Sequence, residues 1–137
     1  MKRRRRRKNG RKGHYITGTY TSTKTGEVYK YRSGWELQYM QYLDECDFVA
    51  TWTYEAVVIP YISNLKTGKL RNYYPDFMIT LSDGRSELVE IKPSKRVLQA
   101  AVQKKLRAAA GWCSANGVTL VVMTEIELKG LGLLKKK

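Results

Sequence analysis

Two acidic signals, 14 residues apart, are the part of this chain best suited to do chemistry. Pro75-Asp76 follows an aromatic run, and Glu90-Ile91-Lys92 lies in the apolar segment after it. Carboxylate oxygens are the ligands that Mg²⁺ prefers, usually one or two of them together with water. A metal held in this way lowers the pKa of bound water, and a lysine beside it can neutralise charge on a phosphate. The combination suits metal-assisted hydrolysis of a phosphodiester bond.

Alternation and turn signals predict the strands that carry these residues. Side chains alternate along a strand, so Glu90 and Lys92 share one face of a strand at residues 87–92. A turn at residues 82–85 joins this strand to an earlier one at residues 70–81.

Pairing of these two strands would bring Asp76, in mid-strand, and Glu90 within reach of one cation. The peptide carbonyl of Ile91 can complete the protein ligands, and Lys92 would then lie beside the metal. Taken alone, Glu-x-Lys is usually a solvated ion pair and Pro-Asp usually begins a turn. Their order on adjacent strands favours a metal site.

A third carboxylate, Glu36, lies at the start of the first predicted helix. Ser33 precedes it by three residues, which is the spacing of a capping box. Glu36 therefore has two compatible roles. It caps the helix, or it reaches a metal-bound water or a second metal, and spacing alone leaves this choice open.

The remaining periodicity predicts one α/β domain with the order helix, three strands in a meander, helix, strand. The second helix, at residues 94–115, is rich in strong helix formers and stops at Asn116-Gly117. A buried strand at residues 118–123 and a short capped turn at 124–128 follow. We divide the chain into a basic arm (1–14), an extended lead-in (15–31), the α/β domain (32–128) and a basic tail (129–137).

Charge is concentrated at the front of the 137-residue chain. The net charge is +14, and nine basic residues precede residue 13, whereas the first acid is Glu27. Such an arm favours a polyanion, bound with strong salt dependence. A solubility tail, an import-like signal and a ribosomal-protein-like extension are the alternatives. Predicted DNA-binding residues are Arg3, Arg4, Arg5, Arg6, Arg7, Arg32, Lys95 and Lys105. Tyr15, Tyr20, Tyr29 and Tyr31 are candidates to stack on unpaired bases.

Several classes are excluded by what the chain lacks. No segment reaches the roughly 18 apolar residues of a membrane span. Cys46 and Cys113 are too few and too far apart for a zinc site or a disulfide framework. The single histidine, His14, lies in the arm, which removes histidine-based chemistry from the folded domain.

The acidic pair, the lysine and the element order together resemble the PD-(D/E)XK nuclease superfamily. Over residues 31–128 the chain is similar to the head-completion nucleases of tailed bacteriophages. The similarity is carried by YRSGWE (31–36), VIPY (58–61), YYPDF (73–77) and VEIKP (89–93).

This resemblance implies a restriction-endonuclease-like fold, an αβββαβ core whose mixed central sheet is flanked by helices. It implies Glu36, Asp76, Glu90 and Lys92 as catalytic residues. Asp76, Glu90 and the Ile91 carbonyl would hold Mg²⁺, with Mn²⁺ as a substitute. The implied role is cutting packaged DNA or acting at the portal or neck before tail attachment, in the host cytoplasm or the head–neck region of the virion. DNA and portal or neck proteins are the implied partners.

Three rival functions stay open on the sequence. A transposase-associated endonuclease of the TnsA type shares the layout, although such subunits normally carry a further domain. A Holliday-junction resolvase would be a stable dimer. A structural neck protein would bind DNA or the portal without cutting. The sequence leaves the oligomeric state open.

Overall fold

The computed structural model describes residues 17–134. Predictions for the arm at residues 1–14, Arg3 to Arg7 included, and for residues 135–137 lie outside the described residues. The elements in chain order are β1 (Gly18–Thr21), β2 (Val28–Tyr31), α1 (Gly34–Glu45), β3 (Val49–Tyr54), β4 (Ile59–Asn64), β5 (Lys69–Tyr73), β6 (Phe77–Leu81), β7 (Ser86–Ile91), α2 (Ser94–Val97), α3 (Ala100–Asn116), β8 (Thr119–Met123) and α4 (Glu125–Gly130).

Four strands form the central sheet, in the order β3-β6-β7-β8. The pairs β3–β6 and β6–β7 are antiparallel, and β8 lies parallel to β7 after the crossover through α3. With α1 in front, these elements form the predicted αβββαβ core and mixed sheet. The three antiparallel strands β3, β6 and β7 follow one another as in the predicted meander, and the connection from β3 to β6 carries a separate hairpin, β4–β5.

Pro75 divides the strand that the sequence predicts at residues 70–81. β5 ends at Tyr73 and β6 begins at Phe77. Proline has no amide hydrogen for a strand ladder, and it restricts the residue before it. Asp76 consequently lies just before β6, at the end of the sheet, and not in mid-strand.

Both faces of the sheet are covered. On one face, α1 and α4 pack on a core that includes Tyr39, Phe77 and Leu128. The rings of Tyr39 and Phe77 meet edge to face with centroids 5.0 Å apart. On the other face, α3 and the β4–β5 hairpin meet β7 in a smaller core around Leu88 and Ala109. The carboxylates of interest thus lie at the end of a sheet whose strands are held from both sides.

The described part of the predicted lead-in is a β-hairpin, β1–β2. Asp44 of α1 fixes it, since its carboxylate accepts hydrogen bonds from Tyr20 at 2.6 Å and Ser22 at 2.7 Å. The same carboxylate accepts from the indole of Trp52 on β3 at 2.9 Å. Three of the tyrosines considered for base stacking lie in the described residues, and they pack against the core that contains Tyr39 and Phe77: Tyr20, Tyr29 and Tyr31. The domain boundary at residue 32 stays a prediction, but the hairpin before it packs against the domain.

The helix predicted at residues 94–115 is interrupted. Leu98 and Gln99 separate α2 from α3, and Gln99 has extended backbone angles. The predicted stop is confirmed, because Gly117 caps α3 with a left-handed φ of 68°. Thr124 and Glu127 form the capping box of α4. None of the helices within residues 17–134 has the length and apolarity needed to cross a membrane.

Candidate active site

Asp76 and Glu90 lie opposite each other at the end of the sheet. Phe77 pairs with Val89, so the next opposed positions are Asp76 and Glu90. The amide of Asp76 donates to Oε1 of Glu90 at 3.2 Å, and the amide of Ile91 donates to Oδ2 of Asp76 at 2.7 Å. Both carboxylates are buried. The strand pairing therefore brings the two predicted ligands together.

Lys92 completes this group from the same side of β7 as Glu90. Its Nζ is 3.3 Å from Oε2 of Glu90, and its side chain is largely buried. Burial, and after it the charges of Glu90 and Glu36, raise the pKa of Asp76 well above its ordinary value. Burial also raises the pKa of Glu90, although the Lys92 ammonium opposes that shift. A cation between these carboxylates would offset their mutual repulsion and part of their desolvation.

The donor set fits a hard divalent cation. Asp76 and Glu90 supply carboxylate oxygens, and the Ile91 amide holds the Asp76 carboxylate in place through Oδ2. In the part of the chain that the structure describes, no group of three or more His, Cys, Asp or Glu side chains could hold a metal. A cation here would keep several waters, which is the habit of Mg²⁺. The ligand role of the Ile91 carbonyl stays a prediction.

Glu36 takes part in capping α1 and also lies near the acidic pair, while its role towards a metal-bound water or a second metal stays a prediction. Ser33 caps α1 by accepting from the Glu36 amide at 3.1 Å. The Glu36 carboxylate reaches back to the amide of Arg32 at 2.7 Å, one residue before the position that a standard capping box uses. It also accepts from the Tyr54 hydroxyl at 2.8 Å. Its charge is close enough to Asp76 to raise the pKa of Asp76. One carboxylate therefore links the start of α1 to the end of β3 and to the acidic pair.

Glu55 is an acidic neighbour that sequence reasoning missed. It follows β3 directly, and its amide donates to the carbonyl of Asp76 at 2.9 Å. Its φ of 54° lies in the left-handed region, which is costly for a residue with a side chain. Its carboxylate is 3.2 Å from Nη2 of Arg32. Burial raises its pKa, Arg32 opposes this, and the charge of Glu36 adds to it. No motif marks Glu55, because only the pairing of β3 with β6 brings it to Asp76.

Tyr73 is a second neighbour outside the motifs. Its hydroxyl is buried beside Glu90 but lies outside hydrogen-bond geometry. Burial, followed by the charge of Glu90, raises the pKa of this phenol, so it stays protonated and able to donate. The sequence feature that could have predicted its place at the site is its position three residues before Asp76 in the YYPDF string.

The predicted DNA-binding residues do not form one group. A cleft of about 680 Å³ is lined by Glu36 and Lys92 together with Arg32 and Lys95, whereas Asp76 and Glu90 are not part of its lining. Lys105 is elsewhere, since its Nζ lies 5.9 Å above the ring of Tyr73 on the α3 side. Binding of DNA by any of these residues stays a prediction.

Comparisons with known proteins identify the family to which this fold belongs. Residues 46–125 match the family model of the TnsA-like endonuclease N-terminal domain, which spans β3 to the start of α4. The fold and the acidic end of its sheet define an endonuclease of the restriction-endonuclease-like class.

A protein of Enterobacteria phage T4, the head completion nuclease, is 31% identical to this chain over 124 residues. The match covers 74% of this chain and 82% of the T4 protein. The chain belongs to the family of phage head completion nucleases.

Proposed function

We propose that this nuclease hydrolyses DNA phosphodiester bonds with Mg²⁺ as its cofactor, and that Asp76, Glu90 and Lys92 carry the reaction. The observation that supports this most is the buried, opposed pair of carboxylates with an ammonium 3.3 Å from one of them. Such a pair is unfavourable without a cation, so its presence in a folded domain favours a metal-binding role.

Asp76 and Glu90, with the Ile91 carbonyl, would hold the metal. When bound, the metal would supply Lewis acidity and a water of lowered pKa. Lys92 would place its ammonium where negative charge develops on the scissile phosphate. The oxygen of the attacking water would bond to phosphorus while the P–O ester bond breaks. That water gives up one proton and the leaving oxygen takes up one, so the step balances without a covalent enzyme intermediate.

Glu36 and Tyr54 would orient this group from the helical side. The Tyr54 hydroxyl donates to Glu36, which leaves the second oxygen of that carboxylate available to a water. Glu36 could then position the attacking water, as expected for the helical acid of this arrangement.

The biological role that we propose is head completion in a tailed phage, because the T4 relative is a head completion nuclease. The nuclease would act on packaged DNA, or at the portal or neck, before the tail attaches. It would do so in the host cytoplasm and remain at the head–neck region of the particle. A neck protein that binds without cutting is the competing role.

The test is cleavage of supercoiled and linear DNA with Mg²⁺ or Mn²⁺, with EDTA as the blank. Asp76→Ala should lose the cutting, and Asp83→Ala is the matched control, since Asp83 lies exposed in the turn at the other end of β6. Metal-dependent cutting lost only in Asp76→Ala supports the proposal. Salt-sensitive binding with no cutting by the unmodified protein would favour the neck protein instead.

A further inference from the structure

The β4–β5 hairpin packs along α3 on one side, where Nζ of Lys104 donates to the Ser63 carbonyl at 2.8 Å, and the rest of its surface is open. Only its base is buried, at Ile59 and Tyr73, whereas residues 69–72 of β5 are all exposed. Leu65, in the turn, is 82% exposed, and the paired Ile62 and Leu70 are 47% and 65% exposed. These exposed residues contribute little to the core, so this side of the hairpin is open to a binding partner.

The hairpin rises directly beside the acidic pair. Tyr73, at its base, faces Glu90, and Asp76 follows three residues later. Glu90 shares the sheet face of Leu88, because residues of β7 alternate, and Leu88 packs with α3 and the hairpin base. A phosphodiester at the carboxylates would therefore lie next to the hairpin.

The charge of the surrounding chain is strongly one-sided. Residues 56–75 and 93–124 contain no Asp or Glu. They carry eight of the 14 Lys and Arg residues found between residues 17 and 134: Lys66, Lys69, Arg71, Lys95, Arg96, Lys104, Lys105 and Arg107. Three of these are on the hairpin and three on α3, which packs beside it. This surface is complementary to a polyanion.

We infer that the β4–β5 hairpin is a DNA-binding arm of the nuclease. Lys66, Lys69 and Arg71 contact phosphates of the duplex that enters the active site, and Leu65 lies in a groove. The inference rests on the proposed function. Apolar side chains beside basic ones are a common way for proteins to enter a DNA groove.

The dimensions agree with such a contact. Gly68, at the turn, lies five positions before Tyr73, so the strand is about 17 Å long at roughly 3.3 Å per residue. This length corresponds to about five nucleotides of one strand of B-DNA, at 3.4 Å each. Phosphates several steps from the scissile bond are thus within its reach.

The test measures binding without cutting. In an Asp76→Asn background, anisotropy of a labelled 30-base-pair duplex is recorded from low to moderate salt. Lys69→Ala with Arg71→Ala is compared with Lys30→Ala with Arg85→Ala, a control that also removes one exposed lysine and one exposed arginine. Thermal unfolding of each protein shows whether the fold is kept.

We expect the hairpin variant to bind at least about 10-fold more weakly, with a slope of log K against log[salt] lower by about 1.8, or 0.9 for each lost phosphate contact. The control should change neither value beyond error. Equal affinity and slope in the hairpin variant, with binding by the parent intact, overturn the inference and leave the proposed function standing. A parent that binds no DNA overturns both.

A protein partner is the competing occupant of the hairpin. Leu65→Ser with Leu70→Ser should weaken DNA binding and leave the sedimentation coefficient unchanged. If this variant binds DNA normally and a dimer of the parent becomes a monomer, the hairpin docks a second copy and the inference is wrong.

Discussion

Asp76 and Glu90 hold each other through the backbone of the opposite strand. The amide of Asp76 donates to Glu90 at 3.2 Å, and the amide next to Glu90, that of Ile91, donates to Asp76 at 2.7 Å. These bonds fix both carboxylates before any cation binds, although burial and mutual repulsion oppose their charges. Holding the two charged groups in place therefore lowers the stability of the fold. Substitutions at the site can measure this cost.

Asp76→Asn should abolish cutting without destabilising the metal-free protein. The amide removes a buried charge repelled by Glu90 and Glu36, and its oxygen can still accept from Ile91. We expect cleavage to fall at least about 100-fold, or about 2.7 kcal/mol of transition-state stabilisation. In EDTA, Tm should equal or exceed that of the parent. A clear drop in Tm would show that Asp76 serves the fold.

Magnesium should stabilise the parent protein through the same site. A ligand that binds only the folded state at ten times its Kd contributes about 1.4 kcal/mol. Differential scanning fluorimetry across a MgCl₂ titration should show a rising Tm for the parent and a flat one for Asp76→Asn. Parallel rises in both proteins would point to nonspecific ion binding elsewhere.

Lys92→Met should destabilise the protein in EDTA by about 2 kcal/mol, because it leaves the buried Glu90 without its partner at 3.3 Å. Added Mg²⁺ should recover part of this loss, since the cation replaces the ammonium beside Glu90. Chemical denaturation with and without metal measures both effects. The control, Lys30→Met, changes an exposed lysine of β2 and should alter neither. If metal restores no stability, the cation does not bind where the Lys92 ammonium contacts Glu90.

Two substitutions of Glu55 separate its backbone strain from its carboxylate. Both Glu55→Gly and Glu55→Ala remove the pair with Arg32, but only glycine relieves the φ of 54°. We expect the glycine variant to be about 1 kcal/mol more stable than the alanine variant. Cleavage should fall in both, because both remove the carboxylate that holds Arg32, whereas the backbone amide that donates to Asp76 is kept. Full activity in both variants would show that the Glu55 side chain does not contribute to cleavage.

Acid should weaken the attachment of the β1–β2 hairpin through Asp44. Burial by itself would raise the pKa of Asp44, but hydrogen bonds from Tyr20, Ser22, Trp52 and the Thr23 amide outweigh it and lower that pKa from 3.8 to about 2. A lowered pKa contributes stability above about pH 4, and that contribution is lost as the pH falls towards 2.

Urea unfolding followed by tryptophan fluorescence, at several values between pH 7 and pH 2, checks this prediction. The difference in free energy of unfolding between the parent and Asp44→Asn should shrink below pH 4. Asp47→Asn alters an exposed carboxylate nearby and is the control. A constant difference down to pH 2 would contradict the hydrogen-bond cause.

The acidic pair was predictable because it depends on local rules. A short turn at residues 82–85 sets the register of β6 with β7, and alternation then places Glu90 and Lys92 together. The same local rules locate the start of α1 at Ser33 and the end of α3 at Gly117. The strand predicted at residues 70–81 was wrong because local sequence was ambiguous there. Pro75 lacks an amide hydrogen and divides an otherwise continuous apolar and aromatic run into two strands.

The sequence itself determined the order of the core elements, the αβββαβ class, the family, and the neighbouring positions of Asp76, Glu90 and Lys92. Only the tertiary structure decided what surrounds them. Glu55 reaches Asp76 through the pairing of β3 with β6, and Tyr73 reaches Glu90 because the β4–β5 hairpin folds against α3. Short-range spacing cannot encode such contacts, because they depend on how distant strands and helices pack once the chain has closed around its two cores.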